Sequence, residues 1–384
     1  MIDKIIKPYV GEDPDAFAKR KTYFDRLLKG RFEWSEQQLM DLTQRGRPLD
    51  ADERKQIDEV GAQYLPVALR DQIIQYGYYE FYKTIKSPDV ELSRYIPDAF
   101  TKTFIDDYFT NPQHSMPCDD KNLYDLFFHD VNRPKTLFRK VKGLYLDNDY
   151  SIISQEKALA MANELGEVIC KVAKFSMGGS GVMVWNASQD DESKLINFMN
   201  GHDYVVCQEM LTQHKVLSRL NPSCVNTLRI MTLLFNDDVH VFASMMRMGP
   251  QNSRIDNASS GGVVCGILPS GQLKDVGWNG AGDRFDIHPL GFNFSEITIP
   301  NYSRCVDLVK TLASRFSSIS RMIGWDLAID EAGNPALIEF NVTFSGTGTV
   351  QMTNGPLFGD LTDDVLKEVF ANSYTLKSII KSFQ

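Results

Sequence analysis

The chain has 384 residues, 43% hydrophobic and 24% charged, with a formal net charge of −9 at pH 7. That length supports two or three packed lobes with sizeable cores, and the negative balance argues against a general nucleic-acid binder. No apolar run approaches the roughly 20 residues of a membrane span, and Met1-Ile-Asp-Lys-Ile-Ile-Lys7 is too short in its apolar part for a signal peptide, so no membrane span and a cytoplasmic location are expected.

The N-terminal part, from about residue 12 to 110, reads as helical. Asp13-Pro14 makes a helix start, Phe17, Phe24, Leu27 and Leu28 fall on one stripe, and Gly30 is placed to end it. Ser35 and Asp50 read as further N-caps. The aromatic stretch Tyr76-Gly-Tyr-Tyr-Glu-Phe-Tyr82 is expected to pack as core rather than serve as a ligand platform. Breaker-rich joints follow at Pro88 to Pro97 and at Asn111 to Pro117.

Asp119 to Phe128 predicts an amphipathic helix opened by two acids, where the macrodipole favours them. The basic runs Lys19-Arg-Lys21 and Arg139-Lys-Val-Lys142 read as solvated helix faces or loops. Ser154 to Leu165 predicts a helix, and Glu167-Val-Ile-Cys-Lys171 a strand that ends on a lysine. That strand runs into Val172 to Val182, where Gly178, Gly179, Ser180 and Gly181 suit a flexible flap. Backbone N–H groups in such a loop cradle phosphate oxygens, with Lys171 as a point charge on the same anion. The spacing is neither that of a P-loop nor that of a dinucleotide fingerprint.

Tyr204 to Leu211 predicts a strand, apolar until Gln208 and Glu209. Asn221 to Leu234 and Val239 to Met246 form a hairpin turned at Asn236-Asp-Asp238. Thr227 and Arg229 share one strand face, and Arg247 at the end of the return strand brings a second guanidinium towards one anion. The polar segment Ile255 to Gly262 then reads as a binding loop. Pro300 to Ile323 predicts a helix, with closing helices at Leu361 to Phe370 and Thr375 to Phe383.

Between the first of those helices and the last lie Trp325 to Ile329 and Ala336 to Phe340, two apolar runs around the turn-rich Asp330 to Pro335. Pairing Ile329 with Ala336 sets Asp326 opposite Glu339, where like charges repel and ask for a cation. Asn341 shares the face of Glu339, and two carboxylates with an amide oxygen suit magnesium carrying a nucleotide's phosphates. The competing reading is an exposed hairpin with polar residues on its wet side. The six cysteines form no Cys-x-x-Cys pair and read as small buried hydrophobes. The six histidines show no ligand spacing, and no Gly-x-Ser-x-Gly elbow or Cys-His pair is found, which excludes a zinc enzyme and a serine or cysteine hydrolase.

In register, Asp120-Lys-Asn-Leu-Tyr124, the Lys171 strand with its glycine flap, Gln208-Glu209, Asn226-Thr-Leu-Arg229, Asp256-Asn257 with Gly261-Gly262, Gly324-Trp-Asp326 and Glu339-x-Asn341 resemble the ATP-grasp superfamily, most closely its sugar-transfer-associated branch. The resemblance runs from about Asp119 to the C-terminus, with Tyr95 to Phe100 also family-like, and any one mark is weak where seven in register are specific. It implies an α/β (α+β) protein, two α+β lobes clasping ATP behind a helical N-terminal region: residues 1–118 helical, 119–203 the small lobe with the flap, and 204–384 the large lobe with the metal and acceptor site. It also implies that Lys121 and Lys171 touch ATP phosphates under the flap Gly178, Gly179, Ser180 and Gly181, with Gln208 and Glu209 as the hinge beside adenine. Asp326, Glu339 and Asn341 would hold Mg2+, and Arg229, Arg247 and Asn257 would face the reacting phosphoryl group and the acceptor. Two departures stand out. Val172 follows Lys171 where the family usually has proline, which leaves open whether Lys174 shares the lysine's work, and Phe340 separates the metal ligands where a small residue is common.

The first functional reading is an ATP-dependent carboxylate–amine ligase acting through an acyl phosphate. The branch's association with polysaccharide-assembly proteins implies a sugar carboxylate joined to an amino acid or amine, with such proteins as possible partners. The second reading is a small-molecule kinase on the same scaffold. The third is a nucleotide-binding assembly protein that partners a glycosyltransferase, against which a complete metal set counts.

Overall fold

The computed structural model describes residues 45–64, 74, 76–110, 112–174, 181–251, 253, 256, 261–343 and 346–373. The expected helices at 13–30 and 375–383, the cap at Ser35, the basic run 19–21, and the site residues Gly178, Gly179, Ser180 and Asn257 lie outside the described residues. The chain divides into two compact units, one of residues 1–111 with 343–384 and the other of residues 112–342.

In the first unit, Asp50 caps the helix Ala51–Tyr64 as expected. Its carboxylate accepts from the Glu53 amide while the Glu53 carboxylate accepts from the Asp50 amide, so two donors of the first turn are satisfied reciprocally. The aromatic stretch forms the helix Tyr76–Ile85 and buries Tyr78, Tyr79, Phe81 and Tyr82, so it is core. Tyr82 stacks on Tyr95 at 5.0 Å between ring centroids. The Gln351 amide, on the helix Thr347–Asn354, accepts from the Ile96 amide and donates to the Tyr82 hydroxyl and the Ile96 carbonyl. A closing helix spans Thr362–Asn372.

The second unit holds two antiparallel sheets. The first comprises β1 (Thr136–Val141), β2 (Leu144–Asp147), β3 (Ile152–Ile153), β4 (Glu167–Val172), β5 (Val182–Asn186) and β6 (Tyr204–Glu209), in the order β3-β2-β1-β6-β4-β5. Helix Gln155–Leu165, capped by Ser154, and helix Glu192–Gly201 pack Ala158, Ala162, Leu195 and Met199 into its core beside Phe138, Val168, Cys170 and Cys207. The second sheet comprises β7 (Thr227–Phe235), β8 (Asp238–Met248), β9 (Val263–Ile267), β10 (Leu273–Asn279), β11 (Arg284–Phe285), β12 (Met322–Ile329) and β13 (Pro335–Asn341), in the order β11-β10-β9-β8-β7-β12-β13. Asn236 and Asp237, at φ of 50° and 62°, make the left-handed turn between β7 and β8 that a two-residue hairpin needs. Helix Tyr302–Arg315 lays Tyr302, Cys305, Val309 and Leu312 against one face of this sheet, together with Leu228, Ile230, Trp325, Leu327 and Phe340. All six cysteines are free and buried.

Three expectations need correction. Asp119 to Phe128 is not one helix: 3₁₀ turns at Met116–Asp119 and Lys121–Leu123 precede a single helical turn at Tyr124–Phe127. Asp120 spends its side chain on the Asn122 amide, and the Lys121 amide donates to the Ala173 carbonyl, which takes it out of any helical ladder. Arg139 and Lys140 are not a solvated face but buried members of β1. The Arg139 guanidinium pairs with Asp125 and lies 3.8 Å over the Tyr150 ring, while Lys140 donates to the carbonyls of Met199 (2.5 Å) and His202 (3.2 Å) at a helix end. The helix expected to run to Ile323 stops at Arg315, because Phe316 turns into the core among Phe128, Trp325 and Phe340.

Candidate active site

Alternation along β7, β12 and β13 sends Leu228, Ile230, Trp325, Leu327 and Phe340 into the core and leaves a polar row on the opposite face. Glu339 stands opposite Asp326, and Asp326 opposite Arg229, so three strands present carboxylate, carboxylate and guanidinium side by side. The register that achieves this differs from simple counting. Ile329 pairs with Pro335, Ala328 with Ala336 and Leu327 with Leu337, and a bulge at Ile338 then restores Asp326 to Glu339 and Gly324 to Asn341. Phe340 points to the other face as expected, stacked on Trp325 at 5.7 Å.

The like-charged pair is answered by the chain's own cations. Arg229 grips Asp326 with Nε on Oδ1 (2.5 Å) and Nη2 on Oδ2 (2.9 Å), and Arg247 Nη1 reaches Oδ2 at 3.0 Å. Burial alone would push the Asp326 carboxyl up, but the two arginines outweigh it and hold the carboxyl below the usual range. Arg247 also meets Asp256 Oδ1 at 3.4 Å, while Asp256 Oδ2 accepts from the Thr227 hydroxyl. Burial pulls the Arg247 pKa down, yet Asp256, Asp326 and Glu339 carry it above its ordinary value. Lys121 Nζ lies 2.8 Å from Glu339 Oε1. The Asn341 amide nitrogen reaches the Gly324 carbonyl (3.4 Å) and Asp326 (3.5 Å), and no hydrogen bond from a described residue engages its oxygen.

On the first sheet, Lys171 is the penultimate residue of β4, opposite Val182, and no described residue hydrogen-bonds its ammonium. Burial lowers its pKa to about 8, with Lys121 and Arg133 adding to the fall and Glu339 opposing it. A desolvated ammonium among other cations favours an incoming anion. Lys174 is placed differently, over the Tyr204 ring at 4.9 Å and 4.0 Å from Asp120. At the base of the flap the Val172 amide donates to the Gly181 carbonyl, and Gly181 has φ of 75°. A Cβ on Gly181 would fall 2.5 Å from Val172 Cγ2, so this contact and the backbone angle both require glycine. Gln208 and Glu209 close β6, the last strand of the first sheet before the chain crosses to the second. Gln208 is buried and donates to the Pro134 carbonyl. Sequence reading missed Arg133, which shares Asp125 with Arg139 and whose charge adds to the fall of the Lys171 pKa. No motif marks it, and the one available signal was the strand-like run Thr136 to Val141 beside it.

Among the described residues no three His, Cys, Asp or Glu side chains gather as a metal cage. A metal on this face would rest on Asp326, Glu339 and the Asn341 oxygen, a hard donor set that fits magnesium and leaves the remaining positions to phosphate and water.

Two helix-backed antiparallel sheets, one carrying Lys171 and the other carrying Asp326, Glu339 and Asn341, define an ATP-grasp fold. The family model for sugar-transfer associated ATP-grasp matches residues 104–365, more than half of the chain. The chain belongs to that family. No curated protein matches it by sequence. Solved structures similar to it include D-alanyl-alanine synthetase A from Vibrio cholerae O1 biovar eltor, at 11% identity and a TM-score of 0.40 over 69% of this chain and 68% of that one. L-amino acid ligase from Bacillus licheniformis is similar at 15% identity and a TM-score of 0.39 over 87% and 65%. The ATP-grasp ligase PsnB with a minimal precursor is similar at 16% identity and a TM-score of 0.39 over 68% and 63%.

Proposed function

We propose that the protein is an ATP-dependent carboxylate–amine ligase. A carboxylate takes the γ-phosphoryl group of ATP to give an acyl phosphate and ADP, and an amine then attacks the carbonyl carbon, forming an amide and releasing phosphate. The observation that carries this reading is the shared sheet face on which Asp326, Glu339 and Asn341 stand beside Arg229 and Arg247. Lys121 and Lys171 would hold the phosphates, Gln208 and Glu209 would border the adenine, and Gly178, Gly179, Ser180 and Gly181 would exclude water from above. Arg229, Arg247 and Asn257 would orient the carboxylate and take up charge on the mixed anhydride. Magnesium on Asp326, Glu339 and Asn341 supplies charge neutralisation at the transferred group.

A kinase reading needs a base for a hydroxyl acceptor, and Asp256 is the nearest candidate. Its oxygens are engaged by Arg247 and by the Thr227 hydroxyl, which favours the ligase. The family's association with sugar transfer supports a sugar carboxylate as substrate, and we infer with it an amino acid or related amine as acceptor, polysaccharide-assembly enzymes as partners and a cytoplasmic location. Purified protein tested for ADP release against sugar acids, with and without each amino acid, decides the matter. Release that requires both an acid and an amine supports the ligase, and release that no sugar acid stimulates overturns the substrate assignment.

A further inference from the structure

The chain between β6 and β7 carries a buried amide network that no step of the proposed reaction uses. Asn221 and Asn226 are both buried, and their side-chain nitrogens face main-chain carbonyls. Asn226 Nδ2 donates to the carbonyls of Leu217 and Asn221 and to Gln213 Oε1, each at 3.0 Å, while Gln213 Nε2 donates to the Asn221 carbonyl at 3.1 Å. Asn221 in turn sends Nδ2 to the carbonyls of Gly249 (3.0 Å) and Pro250 (2.9 Å), and its Oδ1 accepts from the Ser223 amide (2.8 Å). Turning the Asn221 amide over would set oxygen against oxygen at both carbonyls, so its orientation is fixed.

Gly249 and Pro250 are where the chain leaves β8, just beyond Arg247. The same loop is held again at Asp256, whose carboxylate accepts from the Thr227 hydroxyl and meets Arg247 at 3.4 Å. Thr227 directly follows Asn226, and Asn226 is tied to Asn221. One short stretch, Asn221 to Thr227, therefore sets both the departure of the loop and the position of Asp256. Apolar packing could hold that stretch as firmly, but a fully satisfied polar network also imposes one geometry on it.

We propose that Asn221 is a positioning residue for the carboxylate substrate: by holding the loop where it leaves β8, it keeps Asp256 on Thr227 and Arg247 and so fixes the direction in which Arg247 faces that carboxylate. The proposal rests on the ligase reading given above, in which Arg247 orients the carboxylate, and it adds a residue that acts through the loop and not by contact. Nucleotide binding, which that reading gives to Lys121 and Lys171, is independent of it.

The test combines hydrogen exchange of the full chain read by mass spectrometry, ADP affinity by calorimetry, and ADP release from ATP with uronic acids and amino acids. Asn221→Ala is expected to speed exchange in peptides spanning residues 249–262 about tenfold, the ratio for one to two neutral hydrogen bonds, and to leave peptides from β10 and β12 unchanged. The acid's KM should rise about tenfold, with kcat and ADP affinity unchanged. In an Asp256→Asn background the same substitution should cost nothing further, since the charge that it places is gone. A residue that only stabilised the fold would leave the acid's KM unmoved or change it together with ADP affinity, and its effect would add to that of Asp256→Asn. Either result overturns the proposal, as does unchanged exchange in the loop. Asn221→Ser, which keeps an oxygen for the Ser223 amide but falls short of Gly249 and Pro250, takes its place if Asn221→Ala does not fold. In the wild type, the peptide holding Ser253, whose amide donates to the Pro250 carbonyl at 3.0 Å, should exchange slowly, and exchange at the rate of an unstructured chain overturns the proposal without any variant. If no acid stimulates ADP release, the substrate reading falls instead, and exchange in Asn221→Ala and Asp256→Asn still decides whether Asn221 holds this loop.

Discussion

Asp326 and Glu339 stand opposite each other across β12 and β13, yet their counter-charges come from different parts of the chain, Arg229 and Arg247 on β7 and β8 for the first and Lys121 ahead of β1 for the second. The two carboxylates therefore differ in what their removal exposes. Asp326 is 5% exposed in its side chain and Glu339 is 30% exposed, so the same loss of turnover should come with unequal losses of stability.

Asp326→Ala should abolish turnover and lower unfolding free energy by about 3 kcal/mol, because two buried guanidiniums lose the carboxylate they share while Arg247 keeps Asp256. Glu339→Gln should abolish turnover while shifting stability by no more than about 1 kcal/mol, as for a partly exposed pair. Urea denaturation of the three proteins checks this, and equal losses would contradict it. The acid limb follows with its sign. The folded carboxyl of Asp326 is held below its ordinary value, so its stabilisation is full above the usual carboxylate range and is lost as pH falls through the folded value. Asp326→Asn should flatten that limb.

Lys171→Met should weaken ATP binding by roughly 1.5–3 kcal/mol, measured by calorimetry. With the ammonium's pKa near 8 in the folded protein, wild-type affinity should decline as pH rises above about 8, since the neutral amine no longer attracts phosphate. The Lys171→Met protein should lack that decline. An unchanged affinity in Lys171→Met would move the phosphate contact to Lys174.

Gly181→Ala should destabilise the protein by about 1–3 kcal/mol, from the left-handed backbone angle and the close approach to Val172. Adding Val172→Ala should recover the part of the loss due to Val172 Cγ2 and leave the part due to φ and to the 2.9 Å approach of Val172 Cβ. A double variant no more stable than Gly181→Ala alone would show that the Cγ2 contact carries no cost.

Hydroxylamine separates the two phosphoryl-transfer outcomes. With the correct carboxylate and ATP but no amine, the ligase should give a hydroxamate, because an acyl phosphate is electrophilic and a phosphate ester is not. ATP turnover that gives a stable phosphomonoester and no hydroxamate would replace the ligase with the kinase.

Much of this site could be read from residue order, because strand alternation is local: Arg229, Asp326, Glu339 and Phe340 all point where a two-residue period sends them. The cap at Asp50 was legible for the same reason. What escaped depends on distant partners. Arg139 and Lys140 look like surface charges until Asp125, Tyr150 and two helix-end carbonyls are brought against them. The broken turn at Asp120 answers to Ala173, more than fifty residues away, and the helix that ends at Arg315 answers to the aromatic cluster that receives Phe316.

The extra residue at Ile338 has a consequence for how the hairpin tolerates change. Because the pairing is reset between Leu337 and Glu339, the alignment near the Asp330 to Asn334 turn and the alignment at Asp326 and Glu339 are separate settings. The bulge works as a slip joint. A shift in the alignment at the turn, where Asp330 is held by Asn132 and the Gly333 carbonyl by Asn301, can be absorbed by it, while the two carboxylates keep their mutual position.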